Sequence, residues 1–133
     1  MASDGWPWLT RPFILALHDR LLAEHGGAGG IRDEGLLDSA LARPRQKAAY
    51  GDPDVFELTA SYAAGFAGNH PFIDGNKRVA LMAAYTFLGL SDLRLVAPEV
   101  ETVRVVESLA AGTLGEEAFA DWLRANTRPR DPA

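Results

Sequence analysis

The sequence predicts an all-α domain, and three observations carry that prediction. Apolar residues recur at helical spacing through most of the chain, no segment sustains the period-two alternation of a half-buried strand, and prolines and glycines fall where helices would start and stop. About six helices joined by short turns account for the 133 residues as a single domain. Its core is expected between about 11 and 126, with frayed termini.

The first helix is expected from Arg11 to His25. Pro12 suits its first turn, Ile14, Leu17, Leu21 and Leu22 share one face, and Gly26 and Gly27 stop it. The "GGAGG" from Gly26 to Gly30 reads as a flexible joint. Asp33 can cap a second helix that buries Leu36, Leu37 and Leu41, runs to about Arg43 and ends at Pro44. The following "PRQKAAYGDP" has neither period and reads as a short flap with room for a hairpin. Asp54 can cap a third helix from Val55 to Gly68, and a fourth follows from Asn76 to Leu90. Both are apolar nearly all round, which marks them as a central pair enclosed by the others. Pro98 opens a fifth helix that turns Val103, Val106 and Leu109 inward. A sixth, Glu116 to Asn126, presents Phe119, Trp122 and Leu123, and the tail "TRPRDPA" is expected to fray.

Composition narrows the function classes. Apolar residues form 47% of the chain and charged residues 23%, ordinary values for a globular protein. With no cysteine, disulfides, thiolate zinc sites and a cysteine nucleophile are excluded. The N-terminal "MASDGWPWLTRP" is not a signal peptide, and the apolar run Val79 to Tyr85 is far short of the roughly 20 residues that span a bilayer. A cytoplasmic protein without membrane contact is the expectation. Thirteen Lys and Arg stand against eighteen Asp and Glu, a net charge of -5 without a basic cluster, which disfavours direct nucleic-acid binding. A protein or a small anionic ligand suits this balance better.

The chemistry concentrates in "NHPFIDGNKR", Asn69 to Arg78, the turn between the two apolar helices. A helix start offers unpaired N–H groups and the positive end of the helix dipole, so it attracts phosphate. Gly75 lets a phosphate approach the backbone, and Asn76, Lys77 and Arg78 add donors to the same pocket. A polyphosphate is the matching ligand. Asp74 fits beside an anion if a hard cation such as Mg2+ lies between them, since Mg2+ binds through one or two carboxylates plus phosphate oxygens. A metal–nucleotide complex follows from that pairing. His70, at the other end of the turn, can take the proton from an attacking hydroxyl. Phe72 anchors the loop in the core, and Ile73 is read as doing the same.

Each residue also has a plain structural role open to it. Asp74 alone suits an N-cap, Lys77 and Arg78 suit a solvated helix face, and His18 and His25 read as structural histidines. The cluster as a unit favours function. A P-loop does not fit, because Asn76 separates Gly75 from Lys77, Arg78 replaces the Ser/Thr, and a helix precedes the loop.

"HPFIDGNKR" resembles the signature of the Fic/Doc family, whose Fic branch carries HPFx[DE]GNGRxxR and whose Doc (death-on-curing) toxin branch carries HxFx[DE]xNKR. The likeness is to the Doc branch and extends through "IRDEGLLDSALARPRQ", "YGDPDVFELTASYAAGFAGNHPFIDGNKRVAL" and "FADWLRAN". It implies a compact Fic/Doc helical bundle with the active-site loop between the two central helices. It implies His70 as general base, Asp74 as the Mg2+ ligand, and Gly75, Asn76, Lys77 and Arg78 as the groups that bind and polarise ATP phosphates. A flap carrying Arg45, Gln46 and Lys47 would align the target segment.

Two departures from the Fic pattern bear on the reaction. Lys77 replaces the second glycine of GNG, and Leu81 replaces the last arginine. In Doc toxins the lysine goes with ATP bound in the reverse sense, transfer of the γ-phosphate, and elongation factor Tu as target. The resemblance therefore implies a protein kinase acting on a Ser or Thr hydroxyl and inhibiting translation. The alternatives are a Fic-type adenylyltransferase and a non-catalytic co-repressor that binds an antitoxin. The inhibitory pattern [ST]xxxE[GN] of many Fic proteins is absent, since Ala118 follows the Thr113 to Glu117 spacing. Inhibition would come from a cognate antitoxin docking as a helical segment near the site.

Overall fold

Proline and glycine placement sets most of the helix boundaries in this chain. A computed structural model describes residues 5–130. It contains six helices: α1 (Arg11–His25), α2 (Glu34–Tyr50), α3 (Val55–Asn69), α4 (Asn76–Leu90), α5 (Glu99–Ala111) and α6 (Glu116–Ala125). Two short strands, β1 (Leu93–Leu95) and β2 (Thr127–Pro129), complete the order.

Helix α3 is the axis of the fold, packed by α2, α4, α5 and α6. Its residues Leu58 to Ala63 are buried on every side, as are Gly65, Phe66 and Ala67. Small residues permit this. A Cβ built on Gly65 would lie 2.9 Å from the Cβ of Ala40 and 3.1 Å from its Cα, so α2 and α3 touch nearly backbone to backbone there. A capping box starts α3: Asp54 accepts from the Glu57 N–H at 2.9 Å, and Glu57 accepts from the Asp54 N–H. Arg124 of α6 reaches both carboxylates and fastens the cap to the last helix.

The expected flap is absent. Helix α2 continues through Pro44 to Tyr50, so Arg45, Gln46 and Lys47 are helical. A proline inside a helix deletes the bond to the carbonyl four residues back. Tertiary attachments offset that loss: Pro44 is buried, and Arg43 and Lys47, one turn apart across it, both bind Glu116 at 2.5 Å at the start of α6. The connection left between α2 and α3 is only residues 51–54.

The chain ends also depart from expectation. Leu9 is buried with its N–H donating to the Tyr62 hydroxyl at 3.0 Å, and Trp6 and Trp8 stack against Phe87 of α4. After α6 the chain pairs antiparallel with β1, Leu93 opposite Pro129 and Leu95 opposite Thr127. The part of the tail expected to fray that covers Thr127–Pro129 is therefore a strand, while 131–133 lie outside the described residues. In α5, Val106 and Leu109 are buried as expected, but Val103 is 39% exposed.

Candidate active site

His70 ends α3. A residue before proline is disfavoured in the helical region, so the helix stops there, and His70 turns into the left-handed region at φ 50°, ψ 58°. The backbone thus swings sharply into Pro71–Gly75. Gly75, also left-handed at φ 83°, is the N-cap of α4 and supplies no side-chain cap.

The structure separates the roles of the loop residues. Phe72 is fully buried, its ring stacked on His18 with centroids 3.8 Å apart. Ile73 does not share that role: it is 55% exposed and faces the cavity described below. Asn76 is only 8% exposed, and its amide is turned back onto the loop. Its Oδ1 accepts from the Phe72 N–H and its Nδ2 donates to the Phe72 carbonyl, both at 2.9 Å. Asn76 therefore clamps the turn, a use additional to the phosphate donor expected of it, and it also lines the cavity described below. Asp74 is not an N-cap for α4. One carboxylate oxygen accepts from its neighbour Gly75 N–H at 2.8 Å, and the other accepts from Ala28 N–H at 3.3 Å.

A second segment backs the loop. The "GGAGG" joint and the residues after it run alongside the turn: Ile73 N–H donates to the Gly30 carbonyl, Ile31 bridges to Phe72, and Arg32 and Asp33 N–H both donate to the Pro71 carbonyl. Two of its glycines are needed there. Gly27 (φ 122°) and Gly30 (φ 108°) lie in the left-handed half of backbone space, and a Cβ on Gly27 would come within 2.7 Å of the Asp74 carboxylate. From the other side, the buried His18 places Nε2 2.8 Å from the Asp74 carbonyl. His18 is thus structural, as the sequence suggested, but it supports this loop in particular. Arg32 is a partner that sequence reading missed. Its Nε donates to the His70 carbonyl at 2.6 Å and its Nη2 to the Asn69 carbonyl at 2.7 Å. No local pattern points to it, because its acceptors lie nearly forty positions along the chain.

These supports hold the loop at the mouth of a cavity of about 680 Å3. One wall carries His70, Asp74, Gly75, Asn76, Lys77 and Arg78; Leu81 and Met82 of α4 form its floor; α5 closes the far side with Glu99, Val103, Val106 and Glu107. That far wall, with His25 from α1, had no signal in the sequence, because α5 reads as an ordinary amphipathic helix. Leu81 gives the floor an apolar surface. Among the described residues, no carboxylate pairs with Lys77 or Arg78, and the His70 imidazole has no partner. The N–H groups of Asn76, Lys77 and Arg78 likewise find no acceptor there. Two unpaired cations and an uncapped helix start therefore converge on one cavity, the arrangement that receives an anion.

Arg45, Gln46 and Lys47 do not line this cavity. The Arg45 guanidinium lies over the Trp8 ring at 5.5 Å, Lys47 is ion-paired to Glu116, and Gln46 is exposed. The turn itself offers a metal one carboxylate, Asp74, with Glu99 and Glu107 on the opposite wall of the cavity, and no group of three or more His, Asp or Glu side chains suited to an ion occurs among the described residues. That set does not suit a resident structural ion. It suits Mg2+ arriving on a polyphosphate, where most ligands are phosphate oxygens and water. No helix of the described residues is long and apolar enough to cross a membrane.

Comparison with known proteins agrees with the loop. The Fic/DOC family model matches residues 8–88, more than half of the chain, from Trp8 to nearly the end of α4. The chain is 34% identical to "Protein kinase doc" of Escherichia phage P1 over 113 residues, 84% of this chain and 88% of that protein. It is 44% identical to "Toxin Doc" of Mycolicibacterium smegmatis over 75 residues, 54% of this chain and 57% of that protein. With its signature turn held between the two central helices of an all-helical core, the chain belongs to the Fic/Doc family.

Proposed function

We propose that the chain is a Doc-like toxin of a toxin–antitoxin pair that transfers the γ-phosphoryl group of ATP to a Ser or Thr hydroxyl of a target protein. One observation carries this reading. Lys77 and Arg78, both unpaired, stand at the uncapped start of α4 on the same cavity wall as His70. The relative named as a protein kinase and the one named as a toxin support the class.

Each residue then has a definite task. The target hydroxyl lies against His70, whose imidazole takes its proton as the oxygen attacks the γ-phosphorus. The bond from that phosphorus to the β,γ-bridging oxygen breaks, and ADP leaves. Lys77, Arg78 and the N–H groups of the first turn of α4 neutralise the charge on the transferring and leaving oxygens; in phosphoryl transfer such positioning and charge stabilisation supply most of the acceleration. Asp74 would hold the Mg2+ that travels with ATP, which supplies further charge neutralisation. Asn76 and Phe72 keep the turn rigid beneath these groups.

The proposed target is elongation factor Tu, the proposed consequence arrest of translation, and the proposed inhibitor a helical segment of an antitoxin. The chain is incubated with Mg2+, elongation factor Tu and ATP labelled at either the α or the γ phosphate. Label on the factor from γ only is the expected result. Label from α only would establish adenylyl transfer instead and overturn the kinase reading. Growth arrest by wild type and none by His70→Ala, both expressed without antitoxin, would exclude an idle co-repressor.

A further inference from the structure

The geometry points to Arg32 as the residue that positions His70, an inference that rests on the reading of His70 as the base. His70 is a non-glycine residue in the left-handed region, a conformation that must be held by its surroundings. The holding groups come from one dipeptide. Arg32 and Asp33 occupy three consecutive carbonyls: the Arg32 side chain takes those of Asn69 and His70 at 2.7 and 2.6 Å, and the two backbone N–H groups take that of Pro71 at 2.7 and 3.1 Å. The side chain is therefore the element that fixes the carbonyls on either side of the His70 Cα. A planar guanidinium can do this with two N–H groups in one fork, whereas an ammonium is a point donor without that geometry.

The alternative is that Arg32 merely caps α3, since a cation over the last carbonyls of a helix is stabilising anywhere. The two roles are separable, because the backbone bonds to Pro71 survive any change of side chain. The loop keeps its attachment in Arg32→Ala, and only the His70 turn is freed. A helix cap would affect unfolding alone; a positioning residue alters the imidazole in the folded protein.

The chain has three histidines, and the buried ring of His18, stacked on Phe72 and bonded to the Asp74 carbonyl, reports whether the rest of the loop stays in place. Ring Cε1–H relaxation dispersion is measured for wild type, Arg32→Ala and Arg32→Lys. The His70 signal is expected to broaden by microsecond-to-millisecond exchange in the alanine variant, and less in the lysine variant, while His18 is unchanged. In the γ-phosphate transfer assay, kcat of Arg32→Ala is expected to fall on the order of 10-fold or more with KM for ATP within about 2-fold, and added guanidinium ion to restore part of it. Unchanged His70 dynamics in a folded Arg32→Ala protein would overturn the inference, as would equal broadening of His18. A wild type without transferase activity whose His70 still loosens in Arg32→Ala would refute the base role and leave the positioning intact.

Discussion

Replacing Asn76 by alanine tests whether that side chain is a clamp or a phosphate ligand. The substitution removes two hydrogen bonds of 2.9 Å and leaves the Phe72 N–H and carbonyl inside the protein without partners. An unsatisfied buried polar group costs about 1–3 kcal/mol, so the pair predicts a loss of about 2–6 kcal/mol. Against a total stability of about 5–15 kcal/mol this is a large fraction. At about 3–4 °C per kcal/mol for a chain of this size, the midpoint of thermal unfolding should fall by about 6–24 °C. Urea unfolding followed by circular dichroism gives the free energy directly. Asn76→Asp is the informative companion: it keeps the acceptor for the Phe72 N–H but sets a carboxylate oxygen against the Phe72 carbonyl. It should be at least as destabilised at neutral pH and recover on acidification, when the introduced carboxyl can donate. The clamp is refuted if Asn76→Ala unfolds within about 0.5 kcal/mol of wild type while its affinity for ATP drops, because the amide would then act on phosphate instead.

Four further outcomes follow from the same geometry. Lys77→Ala should reduce the rate of γ-phosphate transfer by about 100-fold or more with little change in unfolding, as a preorganised donor to developing charge is removed and no ion pair is broken; the labelled-ATP assay reads this. Gly65→Ala would gain up to about 1 kcal/mol of helix propensity, yet its Cβ would meet Ala40 at 2.9 Å, so a net loss of about 1–2 kcal/mol is expected in urea unfolding. Glu116→Ala should destabilise by about 1–3 kcal/mol and fray the end of α2, because Arg43 and Lys47 share this carboxylate, whose side chain is 16% exposed; amide exchange beyond Pro44 would report it. Partial burial opposes ionisation of Asp54, but the Arg124 guanidinium and the Glu57 and Phe56 N–H groups outweigh it and hold the carboxyl below its usual range. Its stabilisation is complete above the ordinary carboxylate pKa of about 4 and is lost as pH falls through the lowered value, so Asp54→Asn should flatten that part of the acid unfolding curve.

Helix periodicity and the polar turn were readable because both are local. The boundaries of α1, α4 and their capping glycines follow from nearest-neighbour rules, and so does the stop at His70 before Pro71. Pro44 was misread for the opposite reason: the contacts that keep α2 helical beyond it come from Glu116, more than sixty residues away. Strands of three residues carry no usable alternation, so the β1–β2 pairing left no trace either. In the site, the composition of the loop was evident, but the use of each group depended on its partners. Asn76 and Arg78 stand two positions apart in one polar run, and only the burial of the first and the exposure of the second divides a side chain turned back onto the loop from one left unpaired. Arg32 and the α5 wall were invisible for the same reason.

The hydrogen bonds from Arg32 and Asp33 to the turn after α3 also bear on how the site forms. They join positions 37 to 39 residues apart, and the Ala28 to Asp74 bond joins positions 46 apart. All of them cross the α2–α3 pair, so the turn cannot acquire its shape until that helical hairpin has closed, and loop-closure entropy must be met first. The reverse holds in the native state. If the glycine-rich segment peels away, Arg32, Asp33 and Ile73 lose their acceptors together while the buried helices stay packed. Their amides should exchange as one group, at a lower free energy than those of α3, and the site would then switch off by local opening well before the protein unfolds.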